Sequence, residues 1–281
     1  MSETEEERVI VLKIQLNDFS PTHTFECGQC FRWEKQSDGS FVGVAGGKAA
    51  RISEDSSIVT IEPCEKEDYE GFWREYLDAD RDYSKIKEKL SSNDIMAQAI
   101  SYGGGIRILR QEFTETLFSF IISQRSSIPR IKTCVKRLCE RYGKEIPFED
   151  KKLYAFPDIP TLASLTEKEY ADLGVGYRAS YLANAAHLLA EGEIDVDYLK
   201  KADTITARKE LLKIRGVGDK VCDCVLLFSL GKYDLFPSDV WIKRVMAEHF
   251  NTQEAKEAGE SLFGDFSGFA QQYLFYWRKD A

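Results

Sequence analysis

Lys220 and Asp239 are the residues of this 281-residue chain best suited by type and spacing to act together. A deprotonated amine is a nucleophile for electrophilic carbon, and a carboxylate stabilises the cation that then develops. Asp239 follows Lys220 by nineteen positions, after a hydrophobic run and the turn Leu230-Gly-Lys-Tyr-Asp-Leu-Phe-Pro237. Pro237 and Ser238 set Asp239 to cap a helix predicted over 240–250. Cys224 lies four residues after Lys220, so the two side chains share one helical face. A lysine near a helix start is most often a solvated surface residue, and the pair alone leaves that plainer reading open.

A glycine turn must position the lysine. Ala207, Leu211, Leu212 and Ile214 recur at helical spacing, which predicts an amphipathic helix over 203–214. Asp203, Thr204 and Thr206 are its candidate N-caps. Gly216 and Gly218 then flank Val217, and two glycines allow positive φ and close backbone approach to another molecule. Val221, Val225 and Phe228 restart the helical period, with Asp219 in the first turn. A helix that begins at a bare glycine turn offers unpaired N–H groups to a phosphate. On G-x-G alone, an ordinary packing corner between two helices is the preferred reading.

From Ile214 to Val245 the chain resembles the helix-hairpin-helix DNA glycosylases, with Lys220 and Asp239 at the family's catalytic lysine and aspartate. Cys27-Gly-Gln-Cys-Phe-Arg-Trp33 resembles the G-Q-x-F-R-W signature of the 8-oxoguanine DNA glycosylases. Further blocks match in order: Leu109-Arg-Gln-Glu-Phe-Thr-Glu-Thr-Leu-Phe-Ser-Phe-Ile121, Leu173-Gly-Val-Gly-Tyr-Arg-Ala179 and Gly268-Phe-Ala-Gln-Gln-Tyr-Leu-Phe275. The resemblance runs from about residue 23 to residue 278.

The resemblance implies that a damaged base is flipped out of the duplex into a pocket. Gly28 would offer its carbonyl to the N–H that oxidised guanine carries and guanine lacks. Gln271 and Phe275, four apart on one helical face, would read the base edge and stack on its ring, with Cys224 on the other ring face. Without the other blocks, Gln271 and Phe275 read as a core face with a polar cap. Lys220 would displace the base and form a Schiff base, Asp239 would stabilise positive charge, and β-elimination would cleave the strand. The expected activity is a bifunctional glycosylase and abasic-site lyase on double-stranded DNA containing 8-oxoguanine. The rival readings are a glycosylase for another damaged purine and a noncatalytic helix-hairpin-helix module.

DNA contacts are implied at Gly216, Val217 and Gly218 in the hairpin. Arg130 and Arg178 match the family's cytosine-reading arginines, and Tyr177 matches its wedge tyrosine. Ser123-Gln-Arg-Ser-Ser127 departs from the family pattern, because Arg125 stands where relatives carry a first asparagine. Trp241 stands where relatives often carry a histidine near a phosphate, and its indole N–H can still donate one bond. A preference for cytosine opposite the lesion is expected, relaxed relative to eukaryotic relatives. No cofactor is expected, apart from a possible monovalent cation at the hairpin carbonyls near Gly216 and Gly218. The C-terminal four-cysteine loop of some relatives is absent, so no iron–sulfur cluster is implied.

Net charge is -9, which argues against broad nonspecific coating of nucleic acid. Much of the acid sits in Ser2-Glu-Thr-Glu-Glu-Glu-Arg8 and over 62–82, whereas Arg125, Arg130, Lys132, Lys136 and Arg137 cluster near the proposed DNA side. The seven cysteines are an odd count, expected as reduced thiols. His23-x-x-x-Cys27-x-x-Cys30 lacks a second C-x-x-C pair, so no metal is expected. No leader or membrane span is read, and the expected setting is a monomer in the reducing bacterial cytoplasm, at the nucleoid.

Alternating segments such as Val9-Ile-Val-Leu-Lys-Ile-Gln-Leu16 and Ser57-Ile-Val-Thr-Ile-Glu62 predict strands, separated by turn signals at Ser37-Asp-Gly39 and Gly46-Gly47. From about Asp94 helical periods dominate, over 112–123, 129–142, 181–191 and 267–277. Gly103-Gly-Gly105 is a bend, because no Gly-Lys-Ser/Thr follows. Phe156-Pro-Asp-Ile-Pro160 marks a crossing between helical halves. The predicted fold class is α+β. A small antiparallel sheet domain (1–93) packs on a larger helical domain (94–281), with the helix-hairpin-helix at about 203–230 and the site between the helical halves.

Overall fold

Alternation builds the N-terminal sheet. A computed structural model describes residues 10–279; the acidic run at 2–8 and the start of the first predicted strand at Val9 lie outside the described residues. Five antiparallel strands, β1 (Leu12–Gln15), β2 (Trp33–Lys35), β3 (Phe41–Ala45), β4 (Lys48–Asp55) and β5 (Ile58–Glu62), stand in the order β1-β5-β4-β3-β2. Val59 and Ile61 point inward while Ile58 is exposed, the period of two expected of a half-covered sheet. Ala45 pairs with Lys48 across the two-residue turn Gly46-Gly47, where both glycines have positive φ, as a type I′ hairpin requires.

The remainder is helical apart from one short hairpin, β6 (Glu145–Phe148) and β7 (Lys151–Tyr154). The helix Phe113–Ser123 is buried along nearly its whole length, with Thr114, Thr116 and Ser119 buried among its apolar residues. The helix Asp219–Leu230 packs beside it, with Phe228 stacked on Phe120 at 5.4 Å between ring centroids. The last helix, Ser267–Lys279, lies along Asp94–Gly103. A Cβ at Gly103 would fall 2.9 Å from the Tyr276 ring, so a small residue lets the two helices close up.

The two cores interlock at the turn between β1 and β2. Cys27 and Phe31 belong to the core of the helical part, whereas Cys30 and Trp33 belong to that of the sheet. Phe31 meets Phe120 edge-on at 5.7 Å, a geometry worth about 1 kcal/mol beyond the area it buries. Arg32 pairs with Glu115 at 3.0 Å and donates to the Tyr154 carbonyl. Burial lifts the Glu115 carboxyl above its usual range even though Arg32 opposes the shift. The segment around Gly28 is thereby fixed against the helical core.

Candidate active site

Asp203 caps the first hairpin helix, Thr204–Leu211, accepting from the Thr206 N–H at 2.7 Å. Gly216 turns with φ +85° and lies so close to Tyr181 that a Cβ would fall 2.3 Å from its ring carbons. Gly218 differs from expectation, since its φ is -99° and only Gly216 of the two is left-handed. Nothing lies within 4 Å of a Cβ built on Gly218. Neither strain nor packing inside the protein demands a glycine there, and the bare position stays open to close approach of an outside molecule. Gly218 is also the N-cap of Asp219–Leu230 and supplies no side-chain cap. The open N-terminal turn therefore suits an anion.

Lys220 sits in the first turn of that helix, half-buried. Its Nζ lies 4.9 Å above the Phe120 ring. Cys224, one turn on, is buried; burial pushes its thiol up to about 11, against the pull of the neighbouring Lys220. Asp239 caps Val240–His249, with Oδ1 accepting from the Ile242 N–H at 2.9 Å. This leaves Asp239 held in place beside Lys220, both lining one cavity.

That cavity is about 40 Å³ and is walled by Gly28, Phe120, Lys220, Cys224, Asp239, Gln271 and Phe275. It opens into a mouth of about 500 Å³ that shares Gly28, Phe120, Lys220, Asp239 and Phe275. The inner space takes little more than one or two waters, so a purine enters only if a wall moves. Phe275 is the wall in the way: a Cβ on Gly28, whose φ is +81°, would fall 2.9 Å from its ring. Gln271 is buried, and its Oε1 finds no hydrogen-bond partner among the described residues. Such an atom is costly to leave unpaired and marks a place for a ligand donor.

The mouth carries Arg125 and Trp241. Arg125 is exposed with φ +48°, and Trp241 is 48% exposed with Arg244 stacked on it at 5.0 Å. Arg130 donates to the Gly174 carbonyl at 3.1 Å and is exposed. Arg178 is buried, and its guanidinium donates to the carbonyls of Val175, at 2.9 Å, and Gln124. It also stacks on Tyr177 at 4.5 Å, while Tyr177 itself is 54% exposed. In this structure Arg178 shapes the loop at 123–127, and Tyr177 projects. Val217 is buried beneath the hairpin, so it can contribute only its backbone to a contact.

Sequence reasoning assigned no role to Gln29. It is fully buried, donating to the carbonyls of Thr24 and Arg107 at 2.9 and 2.8 Å and accepting from the Leu109 N–H at 2.9 Å. Its place in the G-Q-x-F-R-W block was the available signal. Among the described residues no group of three His, Cys, Asp or Glu could hold a metal, and His23 Nδ1 accepts instead from the Gly105 N–H.

A glycine-turned helix pair with a lysine and a capping aspartate over one cavity defines a class. The model of the HhH-GPD superfamily base excision DNA repair proteins matches residues 118–263, and the chain belongs to that superfamily. The model of the 8-oxoguanine DNA glycosylase N-terminal domain matches residues 11–117. With both halves matched, the protein is a member of the 8-oxoguanine DNA glycosylase family. It is similar to MBOgg1, solved in complex with a low-affinity DNA ligand, at 39% identity and a TM-score of 0.94 over 99% of this chain and 97% of that one. The 8-oxoguanine glycosylase/lyase of Clostridium acetobutylicum, solved with double-stranded DNA containing cytosine opposite 8-oxoguanine, is 36% identical. Its TM-score is 0.92, covering 96% of this chain and 98% of that one. The probable N-glycosylase/DNA lyase of Methanothermobacter thermautotrophicus is 31% identical over 196 residues, which are 61% of this chain and 62% of that protein.

Proposed function

We propose that this chain excises 8-oxoguanine from duplex DNA and then cleaves the strand at the resulting abasic site. The observation that carries the reading is one cavity walled by the Lys220 amine, the Asp239 carboxylate, the Gly28 backbone and the unpartnered Gln271 oxygen. The hairpin holds a backbone phosphate at Gly216 to Gly218, and the carbonyls near Gly216 and Gly218 would hold a monovalent cation that adds positive charge beside it. The lesion is flipped into the pocket as Phe275 moves off Gly28 and stacks on the base, with Cys224 on the other ring face. The Gly28 carbonyl accepts from N7–H of the oxidised base. Guanine presents an N7 acceptor there instead, so its binding would set acceptor against acceptor.

Lys220 Nζ, once deprotonated, attacks the anomeric carbon as the glycosidic bond breaks and the base leaves with the bonding pair. Asp239 stabilises the cationic sugar and, fixed by the Ile242 N–H, is pre-organised to do so. The ring opens to a Schiff base, a proton leaves the 2′ carbon, and the 3′ phosphate departs. Lys220 is released by hydrolysis. Arg125, Arg130, Tyr177 and Trp241 face the opposite strand and flank, where arginine forks favour cytosine, and Arg178, buried against the Gln124 and Val175 carbonyls, holds the loop that carries Arg125. The setting is a reducing cytoplasm that holds the DNA.

Duplexes carrying 8-oxoguanine, an alkylated adenine or uracil, each opposite all four bases, test the assignment. Excision of 8-oxoguanine above the others, fastest opposite cytosine, is expected. Lys220→Gln should abolish excision, strand cleavage and borohydride trapping while duplex binding persists. Trapping of that variant on DNA would refute Lys220 as nucleophile, and equal rates opposite all four bases would refute the cytosine preference.

A further inference from the structure

Three consecutive carbonyls at the turn between β1 and β2 are treated unequally. Gln272, on the last helix, donates Nε2 to the Cys27 carbonyl at 2.9 Å. Gln111 donates Nε2 to the Gln29 carbonyl at 2.7 Å. The carbonyl between them, that of Gly28, accepts no hydrogen bond among the described residues and borders the cavity beside Lys220. Gln272 is buried, and both glutamines come from segments distant in sequence, 245 and 82 residues from their acceptors.

A peptide group is planar, so fixing a carbonyl fixes the whole plane that carries it. With the planes on either side of the Gly28–Gln29 peptide tied, that peptide can turn only about its own Cα–Cα axis, which would swing Gln29, whose φ is not positive, toward the left-handed region that a side chain disfavours. Glycine at φ +81° has no Cβ to restrict that rotation, so the restraint must come from outside. An untied Gly28 could turn its peptide and offer guanine an N–H in place of the carbonyl. We infer that Gln272 and Gln111 are positioning residues: they clamp the flanking carbonyls so that only an acceptor faces N7 of the flipped base. The inference rests on the reading of Gly28 as the discriminating contact and adds the device that holds it.

Gln272→Met and Gln111→Met keep side-chain length and remove the donor. Each variant is assayed under single-turnover conditions on a duplex with 8-oxoguanine opposite cytosine and on the same duplex carrying a preformed abasic site, which has no base to recognise. Losing one such buried bond is expected to slow 8-oxoguanine excision about tenfold, with a much smaller change in abasic-strand cleavage. In the Lys220→Gln background, the affinity ratio of 8-oxoguanine over guanine duplex should fall by a similar factor. Equal losses in both reactions mark a merely structural role and overturn the inference, as does an unchanged affinity ratio. If Gln272→Met fails to fold, Gln111→Met, at a half-buried position, decides alone. Wild-type protein that leaves 8-oxoguanine untouched overturns the functional reading itself, whereas active wild type with unchanged variants overturns only the clamp.

Discussion

A methyl group added at Gly216 and one added at Gly218 should separate folding from DNA binding within three residues. At Gly216 the new Cβ meets Tyr181 ring carbons at 2.3 Å and the backbone stays at φ +85°. Left-handed strain costs about 1–2 kcal/mol and overpacking a further ~1–3 kcal/mol. Gly216→Ala should therefore lose about 2–5 kcal/mol, a fall in Tm on the order of 10 °C. At Gly218 the φ of -99° suits any residue and the Cβ meets nothing. Alanine is a poorer N-cap than glycine but stiffens the unfolded chain, two opposing effects that leave stability within about 1 kcal/mol of wild type. The cost appears on DNA, where the methyl lies between the helix start and a phosphate. Fluorescence anisotropy on a short duplex should show Gly218→Ala binding about tenfold more weakly, with the slope of log affinity against log salt little changed, because no cation is removed. Wild-type affinity would refute the reasoning that Gly218 is glycine for the sake of a phosphate.

Asp223 is 1% exposed and pairs with both Arg208 and Lys256, at 2.5 Å to the latter, tying both hairpin helices to the helix Ala255–Phe263. Asp223→Ala removes the buried anion that the two cations share, leaving Arg208 with Asp219 and Lys256 with Glu260, which should cost about 3 kcal/mol, the low end for a broken buried pair, read as a fall in Tm. Burial pushes the Cys222 and Cys224 thiols up to about 11 and that of Cys139 to about 12, from 9.0 when unfolded. A raised folded pKa stabilises the fold fully below about 9, and the benefit is lost as pH rises toward 11–12. Tm should thus fall across pH 9 to 12, and replacing the three thiols with alanine or serine should flatten that decline in a stable variant. An equal decline would remove the thiols as its cause.

Legibility in the sequence followed the range of each signal. Strand alternation, the Asp203 cap and the Pro237 to Asp239 turn are local, and the structure has each where the pattern put it. The helix predicted over 203–214 is cut to Thr204–Leu211 by the turn that leads into Gly216. The β6–β7 hairpin went unread because Glu145-Ile-Pro-Phe148 has a proline in place of alternation. The two hairpin glycines look alike in sequence, and only Tyr181, from another helix, distinguishes them. Arg178 reads as a free DNA-side cation but is buried against carbonyls at 124 and 175 that no spacing rule connects to it. Phe275 lying across Gly28 is likewise a contact between positions 247 apart.

That last contact carries a consequence for the order in which the protein acquires its abilities. During synthesis, the hairpin and Lys220 emerge before the helix Ser267–Lys279 exists. Until that helix docks on Asp94–Gly103, Cys27 has no Gln272 to hold it and the cavity has no Gln271 or Phe275 wall. On the proposed function, a nascent chain at that stage holds the turn for the backbone and the amine, with no means of choosing a base. Selectivity then comes after grip, because the helix Ser267–Lys279 closes against a turn 245 residues before Gln272.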